Sequence, residues 1–245
     1  MQGIYRIYKP KGLSSLEIIK ALRKITGIRH IGQAGRLGRQ TAGVLVLGLG
    51  QWAVKKLKNG RDLLPSERKI ISDFTRDKPL TLEQFKKEYR QRKKIMSLCL
   101  VRRKNQILLG LKKRGFGSNR WNGFGGKVQA GEKIEKTAAR EIKEEVGLTP
   151  LKMKKKAVLI FEFQDNPSLI EVHVFGAENF RGQVKESEEM KPKWFNLNKI
   201  PYRRMWPDDI HWLPLFLKGK KLRGEFYFKD INTLLYYSLR IVKKI

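Results

Sequence analysis

Between Gly126 and Leu148 the chain reads GKVQAGEKIEKTAAREIKEEVGL, and no other stretch restricts the fold as tightly. Ile134, Ala138, Ile142 and Val146 recur every four residues, which on a helix gathers them into one apolar stripe. Gly147 follows as a residue able to take the left-handed conformation that ends a helix. The spacing therefore predicts a helix over Ile134–Val146. On it Glu141 and Glu145 are four apart and Glu144 is three from Glu141, so three carboxylates crowd one side of two turns. Like charges so close are unfavourable unless a cation sits among them. Hard carboxylate oxygens suit magnesium or manganese. Arg140 and Glu144 are also four apart and able to pair. The alternative is a solvated acidic face. The chain carries 54 Lys plus Arg against 23 Asp plus Glu, a net +31. An isolated acidic cluster beside a glycine-rich loop in so basic a chain favours a metal site.

Three segments frame this helix. Residues 1–57 are rich in glycine and short apolar stretches. There Ile4–Tyr8 alternates like a strand, stops at the turn Lys9-Pro10-Lys11-Gly12, and is followed by a helix over Leu16–Ile25 capped by Ser14 or Ser15 and ended by Gly27. Val44–Leu49 is a buried-strand candidate. Residues 58–94 are highly charged and read as helix and linker, with Thr81 preceding a helix that runs to about Lys93. Residues 95–245 hold most of the aromatics. Met96–Arg102 and Gln106–Leu111 are expected to pair around Lys104-Asn105. Val158–Phe163 and Ile170–Phe175 form a second pair turning at Asp165-Asn166-Pro167, and Lys193–Leu197 is a further strand. A second helix is expected over Thr233–Val242. Strands mixed with helices give an α/β or α+β layered fold.

The Gly126–Leu148 pattern is a glycine, five residues, a glutamate, seven residues, then Arg-Glu-apolar-x-Glu-Glu-x-Gly-apolar. It resembles the Nudix box at every fixed position: Gly126, Glu132, Arg140, Glu141, Ile142, Glu144, Glu145, Gly147 and Leu148. The stretches LLGLKKRGFGSNRWNGFGGKV (Leu108–Val128) and MKPKWFNLNKIPYRRMWPDDIHWLPLFL (Met190–Leu217) resemble the animal MutT-homologue branch of that family, which hydrolyses oxidised purine nucleoside triphosphates. The resemblance runs from about Ser97 to Val242. It implies a Nudix α/β/α sandwich following a small N-terminal α+β segment. It also implies a magnesium-dependent, or manganese-dependent, pyrophosphohydrolase that turns triphosphates such as 8-oxo-dGTP or 2-hydroxy-dATP into monophosphate and pyrophosphate. Metal ligands would be Glu141, Glu144 and Glu145, with the Gly126 carbonyl and Glu189 nearby. Glu145 is the first choice as ligand and water activator, with Glu144, Glu141 and Arg140 completing the catalytic set. Lys112 would hold a phosphate. Ser97, Phe116, Asn122, Phe161, Ile170, Trp206, Asp208 and Asp209 would form the base pocket. Two positions depart from the family: Ser97 replaces a threonine and keeps the hydroxyl, and Ile170 replaces a methionine and loses a flexible thioether.

The chemistry of that pocket is coherent. Trp206 and the phenylalanines offer flat apolar faces to a purine, and Asn122 offers a donor and an acceptor. Asp208 and Asp209 are adjacent carboxylates beside aromatics, so desolvation and mutual repulsion should raise at least one pKa. On the residues alone, Trp206-Pro207-Asp208-Asp209 reads rather as a surface turn with a helix cap, and it is the resemblance that favours the pocket.

IYRIYKPKGLSS (Ile4–Ser15) and HIGQAGRLGRQTAGVLVLGL (His30–Leu49) resemble the opening and the catalytic loop of TruB-type tRNA pseudouridine synthases. Where that family has its catalytic aspartate, this chain has Gly38, so no pseudouridine synthase activity is expected. Arg29, His30, Arg36 and Arg39 would offer positive charge to phosphates. An RNA 5′ end as substrate, or simple RNA binding through this basic segment, is the alternative function. His30, His173 and His211 show no metal-ligand spacing. The single cysteine, Cys99, lies in an apolar run and excludes an intrachain disulfide. No stretch is long and apolar enough for a membrane helix, and Arg6, Lys9 and Lys11 interrupt any signal-peptide layout. A cytoplasmic monomer with no membrane partner is the expectation.

Overall fold

A computed structural model describes residues 3–26, 28–34, 37–49, 81–163 and 166–245. Gly27, Arg36, the turn residue Asp165 and residues 58–80 of the expected linker lie outside them. The chain divides into two compact units, Met1–Lys93 and Lys94–Ile245.

Among the described residues, the first unit is a three-stranded antiparallel sheet with two helices. Its strands are β1 (Gly3–Lys9), β2 (Ile31–Ala34) and β3 (Gly43–Leu49), in the order β1-β3-β2. Helix α1 (Ser15–Thr26) starts with a reciprocal cap. The Glu17 N–H donates to Ser14 Oγ at 3.3 Å while the Ser14 N–H donates to the Glu17 carboxylate at 2.7 Å. Helix α2 (Leu82–Arg92) starts the same way, with Thr81 and Gln84 as partners. Its buried Phe85 meets Tyr5 edge-on at 5.3 Å. The expected turn after β1 closes around Lys9, whose buried ammonium donates to the Leu13 carbonyl at 2.7 Å.

The second unit carries the layered fold. Its strands are β4 (Lys93–Arg103), β5 (Gln106–Lys112), β6 (Trp121–Asn122), β7 (Thr149–Phe163), β8 (Asn166–Arg181), β9 (Met190–Asn196), β10 (Leu222–Asp230) and β11 (Thr233–Ile241). Their order is β11-β10-β7-β8-β4-β5-β6, with β9 also paired to β5. Helices α3 (Ile134–Val146) and α4 (Asp209–Leu217) pack on opposite faces. Alternation along the strands decides which face receives which helix. Cys99, Val101 and Leu108 meet Ala138, Ile142 and Val146 of α3, whereas Leu100, Ile107 and Leu109 join Trp212, Leu213 and Phe216 of α4. This is the helix–sheet–helix layering expected.

The two expected strand pairs form. β4 and β5 turn at Lys104, which takes a positive φ of 48°. β7 and β8 run far beyond the predicted ends, to 15 and 16 residues. The helix expected over Thr233–Val242 is a correction: these residues form β11, antiparallel to β10. Thr233, Tyr236, Tyr237 and Ile241 favour the extended state, and burial alternates along the first residues of the strand with period two. Apolar residues at both helical and strand spacing had concealed this. β10 and α4 were not foreseen. α4 is apolar almost all round and contains Pro214, so it shows no helical stripe. Among the described residues, no helix is long and apolar enough to cross a membrane.

Candidate active site

The site is built where the run Gly123-Phe124-Gly125-Gly126 lies against β4. The Cys99 N–H donates to the Phe124 carbonyl at 2.6 Å and the Ser97 N–H to the Gly126 carbonyl at 2.9 Å. A Cβ on Gly125 would stand 2.1 Å from the Ser97 carbonyl oxygen, and one on Gly126 would stand 2.4 Å from the Glu141 carboxylate. Glycine is needed at Gly125, where the neighbour is fixed backbone, whereas at Gly126 the Glu141 carboxylate would have to shift.

Helix α3 delivers the acidic side chains from beneath this run. Its buried stripe of Ala138, Ile142 and Val146 fixes its rotation, and Gly147 ends it with φ 75° and an N–H bonded to the Lys143 carbonyl. Glu145 is buried, and its carboxylate accepts the Gly125 N–H at 2.9 Å. Burial lifts its pKa to about 8, with the Glu141 and Glu189 charges adding to the rise and Lys112 opposing it. Burial also raises Glu141, against the pull of Arg140. Arg140 is the hub of this cluster. It donates to both oxygens of Glu132 at 3.0 and 3.2 Å, to Glu141 at 2.8 Å and to Glu144 at 2.9 Å. The Arg140 guanidinium and the Thr137 hydroxyl hold the Glu132 carboxyl down at about 2.

The three helix carboxylates are therefore not equivalent. Glu145 and Glu141 stand at the glycine run, while Glu144 is half exposed and turned to Arg140. Among the described residues no three acidic or histidine side chains form a ready-made metal cage. The donor set nevertheless fits a hard divalent ion. It offers oxygens alone, and a buried carboxylate at Glu145 beside the charges of Glu141 and Glu189 is costly until a cation compensates it. Glu189 itself faces Arg114 at 3.6 Å.

Beside the glycine run, lined in part by Gly123 and Gly125, lies a cavity of about 160 Å³. That is the size of cavities that accept a small aromatic ring, on the order of 150 Å³. All nine side chains expected around the substrate line it: Ser97, Lys112, Phe116, Asn122, Phe161, Ile170, Trp206, Asp208 and Asp209. Phe161 stacks on Phe226 at 5.3 Å and Phe163 on Phe228 at 5.1 Å. Phe116, itself largely exposed, meets Trp206 at 5.3 Å at the mouth. The Ser97 hydroxyl is buried in the wall with no hydrogen-bond partner among the described residues. A buried hydroxyl left so is unfavourable, and a polar ligand atom would satisfy it.

Trp206-Pro207-Asp208-Asp209 is no surface turn. Both carboxyls are buried at the start of α4. Asp208 accepts the Trp212 indole N–H at 2.9 Å, and Asp209 accepts the Trp206 backbone N–H at 3.0 Å. Burial raises both pKa values well above the carboxylate range, and the charge of Asp208 pushes Asp209 further. Trp212, Phe163 and Gly117 also line the cavity and were not foreseen. Trp212 had one usable signal, its place four residues after Asp208. In the first unit, Arg29, His30 and Arg39 are exposed, and Arg39 pairs with Glu17 at 3.1 Å. A Cβ at Gly38 would meet nothing nearer than Thr41 Oγ1 at 3.7 Å, so packing does not demand glycine there.

Comparison with known proteins agrees with this geometry. Residues 91–216 match the NUDIX domain. The oxidized purine nucleoside triphosphate hydrolase of Mus musculus is 51% identical over 149 residues, covering 61% of this chain and 96% of that protein. The protein of the same description from Danio rerio is 47% identical over 146 residues, covering 60% and 94%. Among solved structures, the MutT protein of Bacillus halodurans superposes with a TM-score of 0.54 at 28% identity, covering 60% of this chain and 97% of that one. The N-terminal part is similar to tRNA pseudouridine synthase B of Clostridium novyi, 41% identical over 51 residues, which is 21% of this chain but 18% of that enzyme. The chain belongs to the Nudix family and is a Nudix hydrolase.

Proposed function

We propose that this protein is a magnesium-dependent pyrophosphohydrolase of oxidised purine nucleoside triphosphates that cleanses the nucleotide pool. The observation carrying this reading is the convergence of Ser97, Asn122, Trp206, Asp208 and Asp209 on one cavity lined also by Gly125, whose N–H the Glu145 carboxylate accepts. The relatives that match this unit along nearly their whole length act on oxidised purine nucleoside triphosphates by name.

In this reading Glu141, Glu145, Glu189 and the Gly126 carbonyl hold Mg2+ or Mn2+, with Glu144 able to join on leaving Arg140. Such an ion, when bound, neutralises charge on the phosphates and lowers the pKa of bound water. Glu145 orients the attacking water and takes its proton. Arg140 positions Glu141 and Glu144 through its ion pairs. Lys112, at the edge between cavity and carboxylates, holds a phosphate as a mobile point charge. The base lies against Trp206 and the phenylalanines. The protonated member of the Asp208–Asp209 pair donates to a base carbonyl and the ionised member accepts from a base N–H, so one pocket accepts more than one oxidised purine. A turnover panel tests this: oxidised and normal purine triphosphates with and without magnesium. Equal turnover of normal dGTP, or turnover unaffected by chelation, refutes it.

A second reading assigns RNA 5′ ends as the substrate, or RNA binding to the first unit. The exposed Lys11, Lys20, Arg23, Lys24 and Arg29, near which Glu17 stands as an acidic residue, favour it, as does the similarity to part of an enzyme whose name specifies tRNA. Competition between 8-oxo-dGTP and triphosphorylated RNA in one assay separates the readings. The buried single cysteine is consistent with a reducing, cytoplasmic setting, and we take the protein to act as a monomer.

A further inference from the structure

Arg120 stands between the loop 113–119 and β6, two residues before Asn122, and does not line the cavity. Its guanidinium nevertheless ties the cavity wall together from behind. Nη1 donates to the Met205 carbonyl at 2.7 Å, and Nη2 donates to the Ile231 carbonyl at 3.0 Å and to Asn232 Oδ1. The same group lies over the Trp206 ring, 4.9 Å from its centroid. Its backbone carbonyl accepts the Lys112 N–H at 3.0 Å, which closes the loop carrying Phe116 and Gly117. Arg120, through its backbone and side chain together, thus joins the Phe116 loop, the turn leading into Trp206 and the β10–β11 turn.

We infer that Arg120 is a positioning residue for base selection: it clamps Trp206 over the cavity and supplies the fixed positive charge that faces the buried Asp208–Asp209 pair. This rests on the reading of the cavity as the base site. A planar fork that bonds three acceptors and stacks on an indole is a role lysine cannot copy. The groups facing the aspartates are each other, the Trp212 and Trp206 N–H donors, Tyr202 and the Arg120 guanidinium. Among these Arg120 is the cation, and its charge favours an ionised aspartate.

The full chain carrying Arg120→Gln or Arg120→Lys separates clamp from charge. Turnover of 8-oxo-dGTP and 2-hydroxy-dATP is measured across pH, with a melting curve for each variant. Arg120→Gln loses both functions. Its KM rises about tenfold with kcat held within about twofold, as expected for lost cation–π and forked contacts. The limb of its pH profile set by the aspartates moves to higher pH, because losing the cation raises their pKa, and the preference between the two bases changes. Arg120→Lys keeps the pH limb but still raises KM. Arg120 variants that melt earlier yet keep KM, base preference and pH profile overturn the proposal, provided Trp206→Ala raises KM. Should Trp206→Ala and Asp209→Asn also leave KM and preference unchanged, the base-pocket reading itself is refuted.

Discussion

Gly117 offers a sharp test of how the cavity wall is held. It sits at φ 80°, and a Cβ there would stand 2.7 Å from Trp206 Cζ2 and 3.4 Å from Cε2. Gly117→Ala therefore imposes two separate costs. The left-handed backbone costs an L-residue about 1–2 kcal/mol. The added methyl needs a carbon–carbon separation of roughly 3.5–4.0 Å, so the ring or the loop must move by about 1 Å. Trp206 has little room to yield, being stacked under Arg120 and edged by Phe163 and Phe228. Overpacking of this kind costs about 1–3 kcal/mol. The sum, about 2–5 kcal/mol, lowers the melting temperature by roughly 4–20 °C for a unit of this size. A 1 Å displacement of a positioning wall is worth up to about a hundredfold in catalytic efficiency, and we expect most of it in KM. Gly115→Ala is the internal control. It lies in the same loop at φ 77°, but its Cβ would meet nothing within 4 Å. It should carry the backbone cost without the loss of substrate affinity. Steady-state kinetics on 8-oxo-dGTP and a thermal melt of both variants decide the matter. If the two alanines raise KM equally, the collision with Trp206 is not the cause and the reasoning fails.

Further outcomes follow from the same geometry. Glu145→Gln should lose about 10²–10⁴-fold in kcat while its circular dichroism is unchanged; retained turnover would remove Glu145 from the mechanism. Trp212→Phe takes away the N–H that Asp208 accepts, leaving a buried carboxyl short of a donor at a cost of about 1–3 kcal/mol, to be read as an earlier melt and a higher KM. The pH dependence of stability has a definite sign. Asp208 and Asp209 have folded-state pKa values above their unfolded values, chiefly through burial. Their contribution is thus fully present below the unfolded carboxylate range and is lost as pH rises through the raised values. The wild-type melting temperature should fall from pH 5 to pH 8 more steeply than that of Asp209→Asn; parallel curves would contradict the assignment.

The parts of this molecule legible in the sequence are those whose cause is local. The α3 helix was readable to its last residue because its stripe, its acidic cluster and its glycine terminator all lie within one stretch. The β4–β5 hairpin was readable from turn chemistry and alternation, and the β7–β8 pairing from alternation, although Asn166 and Pro167, expected in its turn, belong to β8; the strand lengths are set by neighbouring strands. β11 was misread because Leu234, Leu235, Leu239 and Ile241 satisfy a helical and an extended pattern alike. Its pairing with β10 decides, and β10 was itself unforeseen. The base cavity was legible through resemblance rather than pattern. Ser97, Asn122, Phe161 and Asp209 share no periodicity and meet only because β4, β6, β7 and α4 do. Arg120 is the extreme case, since its acceptors lie 85 and 111 residues away.

The acidic helix shows what spacing alone cannot decide. Residues three and four apart are within reach of one another, but the direction of each carboxylate depends on what else is near. Arg140, itself part of the same motif, draws Glu144 outward and also binds Glu132 and Glu141. The Gly125 N–H draws Glu145 inward. One helix face thus presents a pair of carboxylates at the glycine run and a third in reserve on the arginine. If an added divalent ion engages Glu144, the Arg140–Glu144 pair must open. Arg140→Lys, which keeps the charge but not the fork, would then strengthen metal affinity through Glu144 or leave it weaker through a disordered Glu141. Titration of Mn2+ binding to that variant, beside Glu144→Gln, distinguishes the two. A Glu144→Gln variant that binds Mn2+ as tightly as wild type would confine the ion to Glu141, Glu145 and Glu189.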